Sequence, residues 1–119
     1  MTHGLRRFHV GDRLSEMTIF NGTVYLAGQV ADDPSQDIRG QTRQVLAAID
    51  KLLAEVGSDK SRILMAQIFL ADLADFAGMN AVWDAWVAPG QAPCRATVVA
   101  TLAKPGWGVE IVVSAPVGA

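Results

Sequence analysis

Met17-Thr18-Ile19-Phe20-Asn21-Gly22-Thr23-Val24-Tyr25-Leu26-Ala27-Gly28-Gln29-Val30 is the stretch on which the fold turns. Two β-branched and aromatic runs, 17–20 and 23–30, meet at Asn21-Gly22, the dipeptide that tolerates the two positive φ angles of a type I′ turn. A β-hairpin is the expectation. Asp32-Asp33-Pro34-Ser35 then ends the second strand, with Ser35 expected to cap a helix. Across 36–56, Ile38, Val45, Ala48, Ile49, Leu52, Leu53 and Val56 recur at three- and four-residue spacing, one stripe of a helix closed by Gly57. The short apolar run 63–70 (ILMAQIFL) reads as a strand covered on both faces. Asp72 and Asp75 can cap a second helix over 76–87, with Phe76, Met79, Val82, Trp83 and Trp86 on one side and Pro89-Gly90 ending it. Two last strands, 94–103 and 109–115, flank the turn Lys104-Pro105-Gly106-Trp107-Gly108.

The expected order is ββαβαββ, an α+β single domain over 1–119 with two helices on one face of a mixed sheet. Val24, Leu26, Ile68 and Val98 are too many apolar strand residues to lie beneath two helices. A second subunit should therefore cover the other sheet face. The chain's 119 residues point the same way, since a domain this small buries only roughly 65% of its unfolded surface.

Ten Lys and Arg against twelve Asp and Glu, with half the residues hydrophobic, exclude a disordered chain. They argue equally against a nucleic-acid partner, which would need clustered basic charge. No apolar stretch approaches the ~20 residues of a membrane span, and no secretory leader is visible, so a cytoplasmic protein is expected. Cys94 stands alone and cannot form an intrachain disulfide. His3 and His9 read as solvated terminal residues, with no cluster of metal-ligand spacing around them. His9, Asp12 and Ser15 share residue types with a catalytic triad, but nearness in sequence does not build one. Trp83 and Trp86 read as packing residues, and Trp107 as an indole that needs something to pack on, a neighbouring subunit being one choice.

Arg95 and Glu110 carry the chemical interest. Alternation sets Arg95 on one face with Thr97, Val99 and Thr101, and Glu110 on a face with Val112 and Ser114. Each is one ionisable group among apolar and small neighbours. A guanidinium there offers a fork for a carboxylate, and a sheltered carboxyl group can relay protons. From periodicity alone, ordinary strand-end charges in water are the favoured reading of both, since strand ends are commonly solvated. If the last two strands form a hairpin centred on Gly106, Glu110 faces Leu102, and Arg95 lies about 23 Å away along the strand. The two would then meet only between subunits.

Several dispersed motifs together resemble the RidA/YjgF family of reactive-intermediate deaminases. They are Asn21-Gly22-Thr23-Val24-Tyr25-Leu26-Ala27-Gly28-Gln29-Val30, Asp75-Phe76-Ala77-Gly78-Met79-Asn80, Pro93-Cys94-Arg95-Ala96-Thr97-Val98 and Gly108-Val109-Glu110-Ile111. Phe69-Leu70-Ala71-Asp72 and Trp83-Asp84-Ala85-Trp86-Val87 are most similar to its YoaB-like branch. The resemblance implies a chorismate-mutase-like trimer whose sheets line a central barrel, with clefts between subunits. It implies hydrolysis of enamines and imines such as 2-aminoacrylate to 2-keto acids and ammonium, with no metal or cofactor. Arg95 would grip the substrate carboxylate, and Glu110 would activate water or pass on its proton. Gly28 and Thr97 would contact the ligand through their backbone, and Asn80 would help hold the cleft. Leu14 and Ala27 stand where deaminating members carry Tyr and Ser, which removes two hydroxyls; Arg13 offers a replacement cation. The alternative is a non-catalytic trimeric module that binds small carboxylates such as 2-keto acids.

Overall fold

The structure, a computed structural model, describes residues 4–118; His3 lies outside them. Six strands form one mixed sheet: β1 (Arg6–Val10), β2 (Ser15–Phe20), β3 (Thr23–Leu26), β4 (Met65–Leu70), β5 (Cys94–Val99) and β6 (Val109–Pro116). Two helices, α1 (Ile38–Glu55) and α2 (Phe76–Trp86), pack on one face. The order along the chain is thus βββαβαββ, one strand more than the sequence suggests. β1 escapes a periodicity reading because Arg6, Arg7 and His9 are exposed on an edge strand and only Phe8 reaches the core.

The β2–β3 turn is as expected. Asn21 (φ 52°) and Gly22 (φ 77°) both adopt the left-handed conformation, and Phe20 faces Thr23 across the turn. The cap of α1 is Asp37, not Ser35. Its carboxylate accepts from the Gly40 amide at 2.9 Å, while Ser35 bonds to Asp33. Val45, Leu46, Ile49, Leu52 and Leu53 form the buried stripe of α1. Ile38 lies so close to Gly78 of α2 that a Cβ there would stand 2.7 Å from its Cγ2, which is how the two helices approach.

The strands across the sheet run β1-β2-β3-β6-β4-β5. β6 is antiparallel to β3 and β4, and β5 runs parallel to β4 at the sheet edge. The last two strands are therefore not a hairpin, because β4 lies between them and β5 stops at Val99. The connecting loop is held elsewhere by the buried amide of Gln41. That side chain donates to the carbonyls of Pro34, Gln36 and Gly106 and accepts from the Gly108 amide, at 2.9–3.2 Å. Trp107 finds its partner within the chain: its indole N–H donates to the Ala31 carbonyl at 3.3 Å, and Lys104 lies over the ring.

Alternation divides the sheet cleanly. Met17, Ile19, Val24, Leu26, Ala66, Ile68, Leu70, Val109, Ile111, Val113 and Ala115 are buried under the helices. Of the four apolar residues expected to be too many for the helices to cover, Val24, Leu26 and Ile68 lie beneath them and Val98 does not. The uncovered face is apolar through Phe20, Tyr25 and Val98, which are 42%, 55% and 50% exposed, beside Phe69 and Val112. Within one chain β4 is covered on the helix side only. No helix among the described residues is long and apolar enough to cross a membrane.

Candidate functional site

β4 bonds to both β5 and β6, so it gives a common scale for Arg95 and Glu110. Arg95 is level with Ala66, and Glu110 with Phe69. Two strand spacings and three residues separate them, about 14 Å in all. They also point to opposite faces. Arg95 and Thr97 share the side of Ala66 and Ile68, toward the helices, whereas Glu110 shares the open side with Phe69. The expected distance of about 23 Å is corrected by the inserted β4.

On the helix side, the Arg95 guanidinium lies over the Trp83 ring of α2, 5.2 Å from its centroid. Among the described residues the sole ion pair is His9 with Glu55, and no carboxylate or carbonyl takes a hydrogen bond from Arg95. A half-buried cation with unfilled donors has the chemistry to take an anion. Two neighbouring elements carry further unmet groups: Thr97 Oγ1 on β5 and Asn80 Oδ1 on α2 are buried without a partner. A cavity of about 330 Å³ opens here, lined by Arg95 and Thr97 with Leu70, Leu73, Phe76 and the Val98-Val99 segment. Asp75, at the start of α2, has its carboxyl pushed up by burial, and the charges of Asp72 and Asp37 add to the shift.

The second group lies on the open face. Gln29 and Ile111 exchange backbone hydrogen bonds, which sets Gly28 against Glu110. A Cβ on Gly28 would collide with Glu110 Oε2 and stand 2.8 Å from its Cδ. Met17 faces Leu26, and the Ala27 amide donates to the Glu16 carbonyl, so the β1–β2 loop ends beside Gly28. That loop carries Arg13 and Leu14, both exposed, and lines a cleft of about 450 Å³ with His9, Asp12 and Glu16. Five of the eight expected site residues, Arg13, Leu14, Ala27, Gly28 and Glu110, thus gather at one end of the sheet, and Asn80, Arg95 and Thr97 in another place.

His9 is no idle terminal residue. It holds φ 55° within β1 and bonds Glu55 of α1 at 2.8 Å. Cys94 is exposed, its thiol against the Leu64 carbonyl at 3.0 Å. Among the described residues no three His, Cys, Asp or Glu side chains stand as a metal-binding group. Sequence reading missed the partnership of Trp83 with Arg95. Its signal was the spacing of Asn80 and Trp83, three apart on α2 and so on one helix face.

A six-stranded mixed sheet backed by two helices, with β6 threaded between β3 and β4, is the chorismate-mutase-like fold of YjgF proteins. A YjgF-family protein from Neisseria meningitidis superposes on it with a TM-score of 0.93 at 46% identity, covering 98% of this chain and 97% of the other. A Rid-family protein from Yersinia pestis gives 0.83 at 32% identity, with 91% and 90% covered. The family model described as endoribonuclease L-PSP matches residues 5–117, and the chain belongs to that family, the YjgF or RutC family. A RutC family protein from Haemophilus ducreyi is 53% identical, covering 95% of this chain and 97% of its own. The RutC family protein YoaB of Escherichia coli is 50% identical, with 88% and 91% covered.

Proposed function

We propose that this protein is a cytoplasmic homotrimer that hydrolyses reactive enamines and imines of 2-amino acids, such as 2-aminoacrylate, in clefts between subunits. The observation that carries the reading is Arg95: a sheltered guanidinium on an indole face, its donors free for a carboxylate. In the proposed reaction 2-aminoacrylate tautomerises to 2-iminopropanoate, and water adds to its C2. Glu110 takes the proton from that water and returns it to nitrogen, so that the carbinolamine expels ammonia and leaves pyruvate. Water supplies the oxygen, and no electron acceptor is needed. Since Arg95 and Glu110 face opposite sides of one sheet, one subunit contributes Arg95, Thr97 and Asn80 and its neighbour contributes Glu110 and Gly28, with Arg13, Leu14 and Ala27 at the rim. The apolar open face is the surface that such assembly covers.

A second reading, a trimer that binds 2-keto acids without turnover, draws support from Leu14 and Ala27, which bring no hydroxyl to the rim. The family description names an endoribonuclease, but a net charge of −2 gives a phosphate backbone little to hold. One assay separates the first two readings. With 2-aminoacrylate generated in situ, accelerated pyruvate release supports the deaminase; pyruvate binding without acceleration supports the binding module. Sedimentation equilibrium is expected to give about three times the 12.7 kDa chain mass. A monomer at micromolar concentration overturns the shared cleft.

Gly28→Ala tests the open-face half of the site. Gly28 does not use a positive φ, so alanine suits its backbone, and the added methyl meets the flexible end of Glu110. Thermal stability should stay close to that of the wild type, while displacing the carboxylate lowers turnover about 10- to 100-fold. Equal activity in both proteins would show that Glu110 needs no fixed place.

A further inference from the structure

The Arg95 platform is itself built, and the construction goes two residues deep. Trp83 is 5% exposed and its ring is tilted at 51° against Trp86, with centroids 5.4 Å apart. Trp86 is in turn fixed to α1, because its indole N–H donates to Asp50 Oδ2 at 3.0 Å, and Lys60 covers its ring at 5.4 Å. The series Asp50–Trp86–Trp83 therefore ties the indole under Arg95 to the first helix. Nothing else among the described side chains bonds Arg95.

We propose that Trp83 is a positioning residue, which presets the Arg95 guanidinium for a carboxylate; this rests on the reading of Arg95 as the anion anchor. The geometry suits the task. A guanidinium held over an indole face, 5.2 Å from its centroid, is restricted in position while its N–H donors stay unused by the ring's neighbours. A carboxylate can then dock edge-on without lifting the cation from its stack. A free arginine loses rotamer freedom on gripping a ligand; one already stacked has lost much of it beforehand. The stack also distinguishes Arg from Lys, since a compact ammonium has neither a plane to lay down nor a fork to present.

The test compares Trp83→Phe, Trp83→Met and Arg95→Ala, each alone, and the two Trp83 variants again on the Arg95→Ala background. Pyruvate affinity is read by calorimetry and folding by thermal melts. Trp83→Met fills space but offers no π face, and should weaken pyruvate binding about 3- to 10-fold. Trp83→Phe keeps a smaller face and should recover much of that loss. On the Arg95→Ala background, Met and Phe at position 83 should not differ, because the platform then has nothing to position. A purely structural Trp83 would instead make affinity follow the melting temperature, with Met and Phe alike. If Met and Phe bind as the wild type does while Arg95→Ala loses pyruvate, the platform is wrong and the anchor stands. If Arg95→Ala binds pyruvate unchanged, the anchor itself is wrong. Should Trp83→Met fail to fold, the wild-type protein decides: the Arg95 Nε–H resonance, identified by its loss in Arg95→Lys, should be shifted upfield by the indole ring current. An unshifted resonance overturns the proposal.

Discussion

Glu110→Gln is expected to lower imine hydrolysis by about 10²–10⁴-fold while leaving 2-keto acid binding nearly unchanged. The substitution keeps the shape of the side chain and removes its capacity to take a proton. Shape matters at this position because the side chain lies directly against Gly28, in space that a Cβ there would take. Among the described residues no donor occupies the Glu110 carboxylate, so its oxygens are free for a water or a substrate nitrogen. On the proposed reading the keto acid product, by contrast, would be held through its carboxylate by Arg95. The measurement is therefore a pair: turnover from pyruvate release, and pyruvate affinity from calorimetry. Loss of turnover with retained binding assigns Glu110 to proton transfer. Equal loss of both places it in ligand holding, and loss of neither removes it from the site.

The two ionisable residues stand out in the sequence, but their arrangement does not; the roles proposed for them come from the family resemblance. Arg95 and Glu110 stand out because each is ionisable among Val, Ala, Thr and Ile, a contrast any strand reading exposes. Asn21-Gly22 could be read as firmly, since few other dipeptides suit two consecutive positive φ angles. Hairpin logic, however, is local, and it paired β5 with β6 across Gly106. What breaks that pairing is non-local: Gln41, 65 residues from Gly106, ties the intervening loop to α1. β4 then takes the place between the two strands. β1 was hidden for a different reason. An edge strand of Arg, Arg, Phe and His buries one side chain and leaves no apolar alternation to detect. Three of the four residues that suggest an uncovered apolar face lie under the helices, yet an apolar open face exists, because Phe20 and Tyr25 alternate with buried positions along β2 and β3 and Val98 faces the same open side from β5.

Mixing two inactive chains is expected to recover activity. On the proposed assembly, in which each cleft would draw Arg95 from one subunit and Glu110 from the next, Arg95→Ala and Glu110→Ala would each disable every cleft of their own trimers. When the two chains are unfolded and refolded together in equal amounts, assembly is random. A given subunit keeps Arg95 with a probability of about one half, and its neighbour independently keeps Glu110 with about one half. About one quarter of the clefts are then fully intact. Restored turnover should approach one quarter of the wild-type value. The opposite faces of the sheet make this a strong expectation, since no rotamer carries Arg95 through the strands to Glu110. Both variants should fold, because Arg95 and Glu110 are only half-buried and neither belongs to the apolar core. Native mass spectrometry must show mixed trimers for the experiment to count. If both single variants are inactive and mixed trimers remain so, the two residues act within one chain, and the shared cleft would have to be abandoned.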